Sequence, residues 1–305
     1  MKIGSVILLL VAFTLTAHAE KGPELQKIQD KQGKEIHYYI IKQSDKTAKN
    51  VLVLIQGSDC KSVINNTKMI KNFGAAFPNN DILLVEKTGL DSQVGKNEDG
   101  ALVENCPVDY MKNDSPLERA ENYLFLIGHL KNHYQHIILL GGSEGAVVTN
   151  LIVSNTDMIQ ASISLNGGGQ FFINDVIYNI EKTLPNEEVA QSIEGFKQFA
   201  KSVIQNKLDD NQFPSEHGEK WWREMLTVNN QKLLQSIKTP HLVVQTMDDI
   251  NVDPHSVVRM MGKINNPQVS FKTYQGLDHF FLDQEGKSQT ELIVKDINEW
   301  YQTIN

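Results

Sequence analysis

Basic residues are too few and too dispersed to make a nucleic-acid surface: 29 lysines and arginines stand against 37 aspartates and glutamates, with no basic stripe. The formal net charge of −8 favours solubility and says little about substrate. Metal-site spacings are missing too. There is no HExxH and no clustered Cys/His pattern, so no metal is expected. No GxGxxG follows the first strands, which leaves no fingerprint for a dinucleotide cofactor. The glycine-rich Asn166–Gln170 lacks that spacing and follows a late strand, so it reads as a close-approach loop. Internal repeats and low-complexity tracts are absent.

Long apolar runs are confined to the N-terminus. Lys2 supplies a positive start, Ile3–Thr16 an apolar stretch, and Ala17-His18-Ala19 a small-x-small cleavage site. Residues 1–19 therefore read as a signal peptide, with the mature chain starting at Glu20 and becoming periplasmic or secreted. The stretch is shorter than the roughly 20 residues of a spanning helix, so no stable membrane anchor is expected. Cysteine is scarce as well. Cys60 and Cys106 both lie in the exported part, where an oxidising compartment favours a disulfide between them. Its closed loop would contribute about 4 kcal/mol by the loop-entropy relation.

What remains is ordinary globular composition, 40% hydrophobic and 22% charged, over 305 residues. Residues 20–34 read as a polar lead-in and Glu35–Gln43 as an antiparallel edge strand. Asn50–Gly57 and Asp81–Gly89 are continuous apolar runs of doubly buried strands. Residues 90–114 read as a long loop. Ser115 and Pro116 open a helix as N-cap and first helical residue. Further strands are expected at His136–Leu140, Ala161–Gly168, His241–Asp249 and Val269–Gly276, and a final helix capped by Ser288. This alternation predicts an α/β fold with a mostly parallel central sheet and helices on both faces. Residues 170–237 break the rhythm. They are mostly helical, carry no strand, and read as a lid inserted into one domain spanning 20–305. Trp221 and Trp222 either line a pocket there or pin the insertion to its scaffold.

Between a buried strand and a helix stands Gly141-Gly142-Ser143-Glu144-Gly145. In that setting Gly-x-Ser-x-Gly is the pattern of a nucleophile elbow. The sharp turn strains the serine backbone and lifts its oxygen clear, near a helix N-terminus that favours a developing anion. Serine needs a base, and the base an orienting acid, here expected after later strands in the order Ser, then Asp or Glu, then His.

With these features the chain resembles an α/β-hydrolase over essentially its whole mature length. Pro240, Leu242, Val244, Asp249 and Val252 fit the family's acid-strand pattern, although Thr246 stands where glycine is frequent. That register selects Asp249 over Asp248 and Asp253. Gly276 and His279 match the G-x-x-H that ends the next strand. The resemblance implies a catalytic triad of Ser143, Asp249 and His279. It implies an oxyanion hole from the N–H groups of Glu144 and of Ser58, with Asp59 as the alternative to Ser58. Gln56 replaces the histidine usual in that loop. Cys60 lies just beyond the loop, so the disulfide is expected to rigidify the rim of the site.

The implied activity is that of an exported serine esterase acting on a small-molecule carboxylic ester or a peptide substrate through an acyl-enzyme. The alternatives are a peptidase, an acyltransferase, or a binding protein on the same scaffold. Amino-terminal sequencing of the exported protein is expected to begin at Glu20; a retained Lys2–Ala19 segment would show an uncleaved leader.

Overall fold

The computed structural model describes residues 23–43, 47–93, 106–207 and 215–304. The expected signal peptide at 1–19 lies outside them, as do most of the 90–114 segment's first half and residues 208–214 of the expected insertion.

Eight strands form one sheet: β1 (Gln26–Gln29), β2 (Glu35–Ile41), β3 (Asn50–Ile55), β4 (Asp81–Val85), β5 (His136–Gly142), β6 (Ala161–Leu165), β7 (His241–Thr246) and β8 (Val269–Tyr274). Their spatial order is β1-β2-β4-β3-β5-β6-β7-β8. β2 pairs antiparallel with both β1 and β4, and every pairing from β4 through β8 is parallel. The chain leaves β3 towards β4 and leaves β5 in the opposite direction, towards β6. A reversal of this kind opens a crevice at the carboxyl ends of the two strands.

β3 shows why the sheet is covered on both sides. Val51, Val53 and Ile55 enter one apolar cluster, and Leu52 and Leu54 enter the other. The first cluster is completed by α3 (Pro116–Leu130), α4 (Glu144–Ser154) and α9 (Pro254–Met261); the second by α1 (Thr67–Gly74) and α10 (Thr290–Thr303). Ser115 caps α3 by accepting from the Glu118 N–H at 3.3 Å, with Pro116 in the first turn. The arrangement is the doubly covered, mostly parallel sheet that the strand–helix alternation predicts.

Four local expectations change. The polar lead-in contributes β1, so β2 is the second strand and not the edge. One apolar residue, Ile28, gives β1 no readable pattern. It forms because a turn closes it: Asp30 Oδ1 accepts the N–H groups of Gln32 and Lys34, and Gly33 takes a φ of 82°. The 90–114 segment contains α2 (Val108–Asn113), held by the buried Tyr110. α1 is a helix that the sequence pattern did not reveal. Ser288 does not cap the last helix, whose N-cap is Gln289. Ser288 instead bridges to Leu282.

Between β6 and β7 lie α5 (Phe172–Thr183), α6 (Asn186–Ile204), α7 (Glu219–Thr227) and α8 (Asn230–Ser236), with no strand among the described residues. Trp221 and Trp222 are both buried. Trp222 packs against Phe172, Phe196 and Phe199 at ring separations of 5.1 to 6.0 Å. Trp222 thus packs α5, α6 and α7 on one another, while Trp221 reaches outside the segment, donating from Nε1 to Glu144 at 2.8 Å. α8 is tied to α4 by Asn150 Nδ2 donating to Asn230 Oδ1 at 2.7 Å.

His241 opens β7 with no exposed surface, and its Nδ1 meets Ser162 Oγ at 2.7 Å. Burial pushes its imidazole down to about 3, well below an unfolded histidine near 6.5. The unfolded chain therefore binds the proton first as pH falls. The folded state loses stability from about pH 6.5 downwards, on the order of 3 kcal/mol by pH 4 from this group. In thermal melts, His241→Gln should flatten the acid fall in stability; an unchanged pH dependence would show that this histidine does not drive it.

Candidate active site

The elbow is built by backbone contact. Ser143 sits at φ 56° and ψ −125°, a conformation that costs a non-glycine residue on the order of 1–3 kcal/mol. It persists because the surroundings leave no alternative. A Cβ on Gly141 would stand 2.1 Å from the Gly145 carbonyl oxygen, and one on Gly145 would stand 2.2 Å from that of Ile55. β3, β5 and α4 thus meet at a point where no side chain fits. The Ser143 N–H donates to Leu165 O at 2.9 Å, which anchors the turn to β6. Gly142 has open space around it and no steric requirement.

β5, β7 and β8 run parallel, so Ser143, Asp249 and His279 all emerge at the carboxyl end of the sheet. His279 Nδ1 lies 2.7 Å from Asp249 Oδ2. Asp249 has no exposed surface. Its Oδ1 accepts the N–H groups of Asn251 at 2.8 Å and Val252 at 3.1 Å, which fixes the carboxylate plane. Gln245 Nε2 adds a bond of 3.3 Å to Oδ2. Asp248 is exposed, and Asp253 caps α9 through the His255 N–H, so neither competes for the imidazole. With Nδ1 engaged, Nε2 is the nitrogen left for chemistry.

The Asn166–Gln170 loop has a more definite task than close approach. Asn166, at φ 50°, accepts the Thr246 N–H at 2.9 Å and donates from Nδ2 to the His279 carbonyl at 3.0 Å. It ties the end of β7 to the histidine loop. The sequence offered one signal for it, an asparagine directly before three glycines at a strand end.

The loop after β3 faces the elbow: a Cβ on Gly57 would lie 3.4 Å from that of Ser143. Gln56 turns away, donating from Nε2 to Asp59 Oδ1 at 2.5 Å and to Lys61 O at 2.8 Å, and so shapes the turn carrying Ser58. The Cys60–Cys106 disulfide joins this loop to the segment leading into α2. α2 returns the contact, since Tyr110 Oη donates to Ser58 O at 3.2 Å.

Beneath the elbow lies a buried polar layer that sequence reasoning missed. The Glu144 side chain pairs with Arg119 at 2.5 Å and accepts from Trp221 Nε1 at 2.8 Å. Burial works against its charge, but Lys87 and Arg119 outweigh it and hold the carboxyl below the ordinary glutamate range. His217 stacks on Trp221 with ring centroids 3.9 Å apart, and burial pushes it down to about 4, so it is neutral at pH 7. Asp114 is pushed up to about 6 by burial.

The elbow contacts distinguish two neighbouring glycines. Gly141→Ala should destabilise the fold by roughly 2–4 kcal/mol through the backbone overlap, whereas Gly142→Ala should change it by less than about 0.5 kcal/mol. Urea unfolding of both variants checks this; equal stabilities would refute the close-approach account.

Among solved structures, Est1E from Butyrivibrio proteoclasticus is similar at 13% identity and a TM-score of 0.58, covering 93% of this chain and 99% of that one. An esterase from Pyrococcus furiosus matches at 12% identity and a TM-score of 0.55, over 92% and 88% of the two chains. The acylaminoacyl peptidase of Pyrococcus horikoshii matches at 13% and a TM-score of 0.56, over 93% of this chain and 41% of its own. These likenesses establish the α/β-hydrolase fold. No curated protein sequence matches the chain. The family model described as "BAAT / Acyl-CoA thioester hydrolase C terminal" matches residues 118–273, a little over half of the chain and the stretch from α3 through the elbow to β8. On that match the chain belongs to this family of α/β-hydrolases, whose structural neighbours are hydrolases of the esterase and peptidase type.

Proposed function

We propose that this protein is an exported serine hydrolase whose preferred substrate is a carboxylic ester. The observation that carries the reading is the 2.7 Å bond between His279 and the fully buried Asp249, at the same sheet end as a strained serine elbow. Ser143 Oγ attacks the carbonyl carbon while His279 Nε2 takes its proton. Asp249 holds the imidazole in the required tautomer and stabilises its charged form. The N–H groups of Ser58 and Glu144 receive the oxyanion; Glu144 is the first residue of α4, where helix N–H groups have no intrahelical partner. His279 returns its proton to the leaving alcohol. Water, deprotonated by the same nitrogen, then frees the acyl group.

The insertion acts in this reading as a lid. α5 leans on the acid loop, with Tyr178 Oη donating to Asp249 O at 3.2 Å and Asn179 Nδ2 to Ile250 O at 3.0 Å. Export rests on the leader sequence and fits the disulfide. No helix among the described residues is long and apolar enough to cross a membrane. The family's description favours a second substrate class, acyl thioesters, which pass through the same acyl-enzyme. Peptide-type substrates are a further alternative, suggested by structural neighbours described as a puromycin hydrolase and an acylaminoacyl peptidase; acyl transfer is the remaining alternative on the same fold.

The mature protein should be labelled by a fluorophosphonate probe, and Ser143→Ala should not. It should hydrolyse p-nitrophenyl esters faster than acyl-CoA thioesters or aminoacyl anilides, with Ser143→Ala at least about 10³-fold slower. A folded wild-type protein that takes no label would overturn the serine mechanism; faster thioester cleavage would reassign the substrate.

A further inference from the structure

The two arms of the proposed oxyanion hole come from separate parts of the chain, the loop after β3 and the start of α4. One buried side chain touches both. Arg119, on α3, is 3% exposed. Its Nη2 donates to Gln56 O at 2.7 Å, and its Nη1 donates to Glu144 Oε1 at 2.5 Å. Two more buried groups hold the same loop from the same layer. Tyr110 Oη donates to Ser58 O at 3.2 Å, and Lys87 Nζ donates to Asp59 O at 2.7 Å. The carbonyls of residues 56, 58 and 59 are therefore all occupied. Because each peptide unit is planar, holding a carbonyl fixes the N–H on the far side of the same unit. The unit that carries the Ser58 N–H lies between two fixed units. Across the crevice, the Glu144 carboxylate is held by Arg119 and by Trp221 Nε1, and the Ser143 carbonyl, in the same peptide unit as the Glu144 N–H, accepts from the Ala146 N–H at 2.9 Å.

We propose that Arg119 is a positioning residue that sets the spacing between the two oxyanion donors, with Glu144 and Trp221 completing the clamp. This rests on the serine-hydrolase reading above. The guanidinium suits the task because it is a planar fork whose two nitrogens bond two acceptors at a fixed separation, which an ammonium cannot do. Its charge is balanced by Glu144, so the effect on the reaction is geometric. A donor displaced from the oxyanion weakens transition-state binding and leaves substrate binding nearly untouched. Trp221 also gives the inserted helices a role in the reaction, since α7 reaches the residue next to the nucleophile through it.

The test measures kcat, KM and the affinity of a boronic acid that forms a tetrahedral adduct on serine, in wild type, Arg119→Lys, Glu144→Gln and Trp221→Phe. For Arg119→Lys, kcat should fall roughly 10- to 100-fold with KM within about twofold, and the boronate should weaken by the same factor as kcat/KM. Trp221→Phe leaves the Arg119–Glu144 pair in place and should lose about threefold in the same pattern. If Arg119→Lys does not fold, Glu144→Gln decides, because it keeps side-chain volume and an acceptor while removing the charge; it should lose kcat alone, by about fivefold or more. Folded variants with kcat and boronate affinity within about twofold of wild type would overturn the clamp. So would losses that only follow the unfolded fraction seen in denaturation. Fluorophosphonate labelling of the wild type separates the two proposals: an unlabelled wild type sinks the serine-hydrolase reading, whereas labelled variants with unchanged kinetics sink only the clamp.

Discussion

At one point in this molecule three backbones pass too close for any side chain. The Ile55 carbonyl, the Gly141 α-carbon and the Gly145 peptide are packed so that a single added methyl at either glycine overlaps a backbone oxygen by more than an ångström. β3, β5 and α4 cannot be drawn together otherwise. Their meeting forces Ser143 to positive φ, opens the crevice where the strand order reverses, and brings the loop after β3 against the elbow. The strain at Ser143 is small beside the packing of α3 and α4 on the sheet, so the scaffold holds the residue in a conformation it would not choose.

Beneath that junction the protein buries charge, which is costly unless every charge is paired. Arg119 and Glu144 are nearly inaccessible, and breaking such a pair by removing one member typically costs about 3–5 kcal/mol. Replacement by apolar side chains of equal volume could match it in stability alone. The pair earns its place through geometry: it ties the loop after β3 to the helix that follows Ser143. Lys87, Tyr110 and Trp221 extend the same layer to β4's end, to α2 and to the inserted helices. The disulfide reaches the same loop from outside. Elements from distant parts of the chain thus converge around the Ser143 elbow and the loop that faces it.

The central strands and their order of appearance were readable because doubly buried parallel strands are continuous apolar runs, and helices leave caps such as Ser115-Pro116. β1 was not, since its ladder is closed by the Asp30 turn and its side chains are mostly polar and exposed. α2 and α1 are short, and their stability comes from what they pack against. α2 holds because Tyr110 is buried against the loop after β3 and against His217, a residue more than a hundred positions away. Ser288 resembled a cap in sequence, but its backbone was taken by the bridge to Leu282, which moved the helix start by one residue.

The sequence alone determined the strand–helix alternation and the elbow glycines, because each depends on local spacing along the chain; Asp249 and His279 were picked out by the resemblance to the α/β-hydrolase pattern. Tertiary structure decided what surrounds them. Nothing near Asn166 announces that it would bridge Thr246 and His279. Nothing near Glu144 announces a bond to Trp221, 77 positions later, or to Arg119, 25 positions earlier. These contacts join residues whose separation in sequence is arbitrary. They exist because a buried polar group must find a partner, and only the folded arrangement determines which one is within reach.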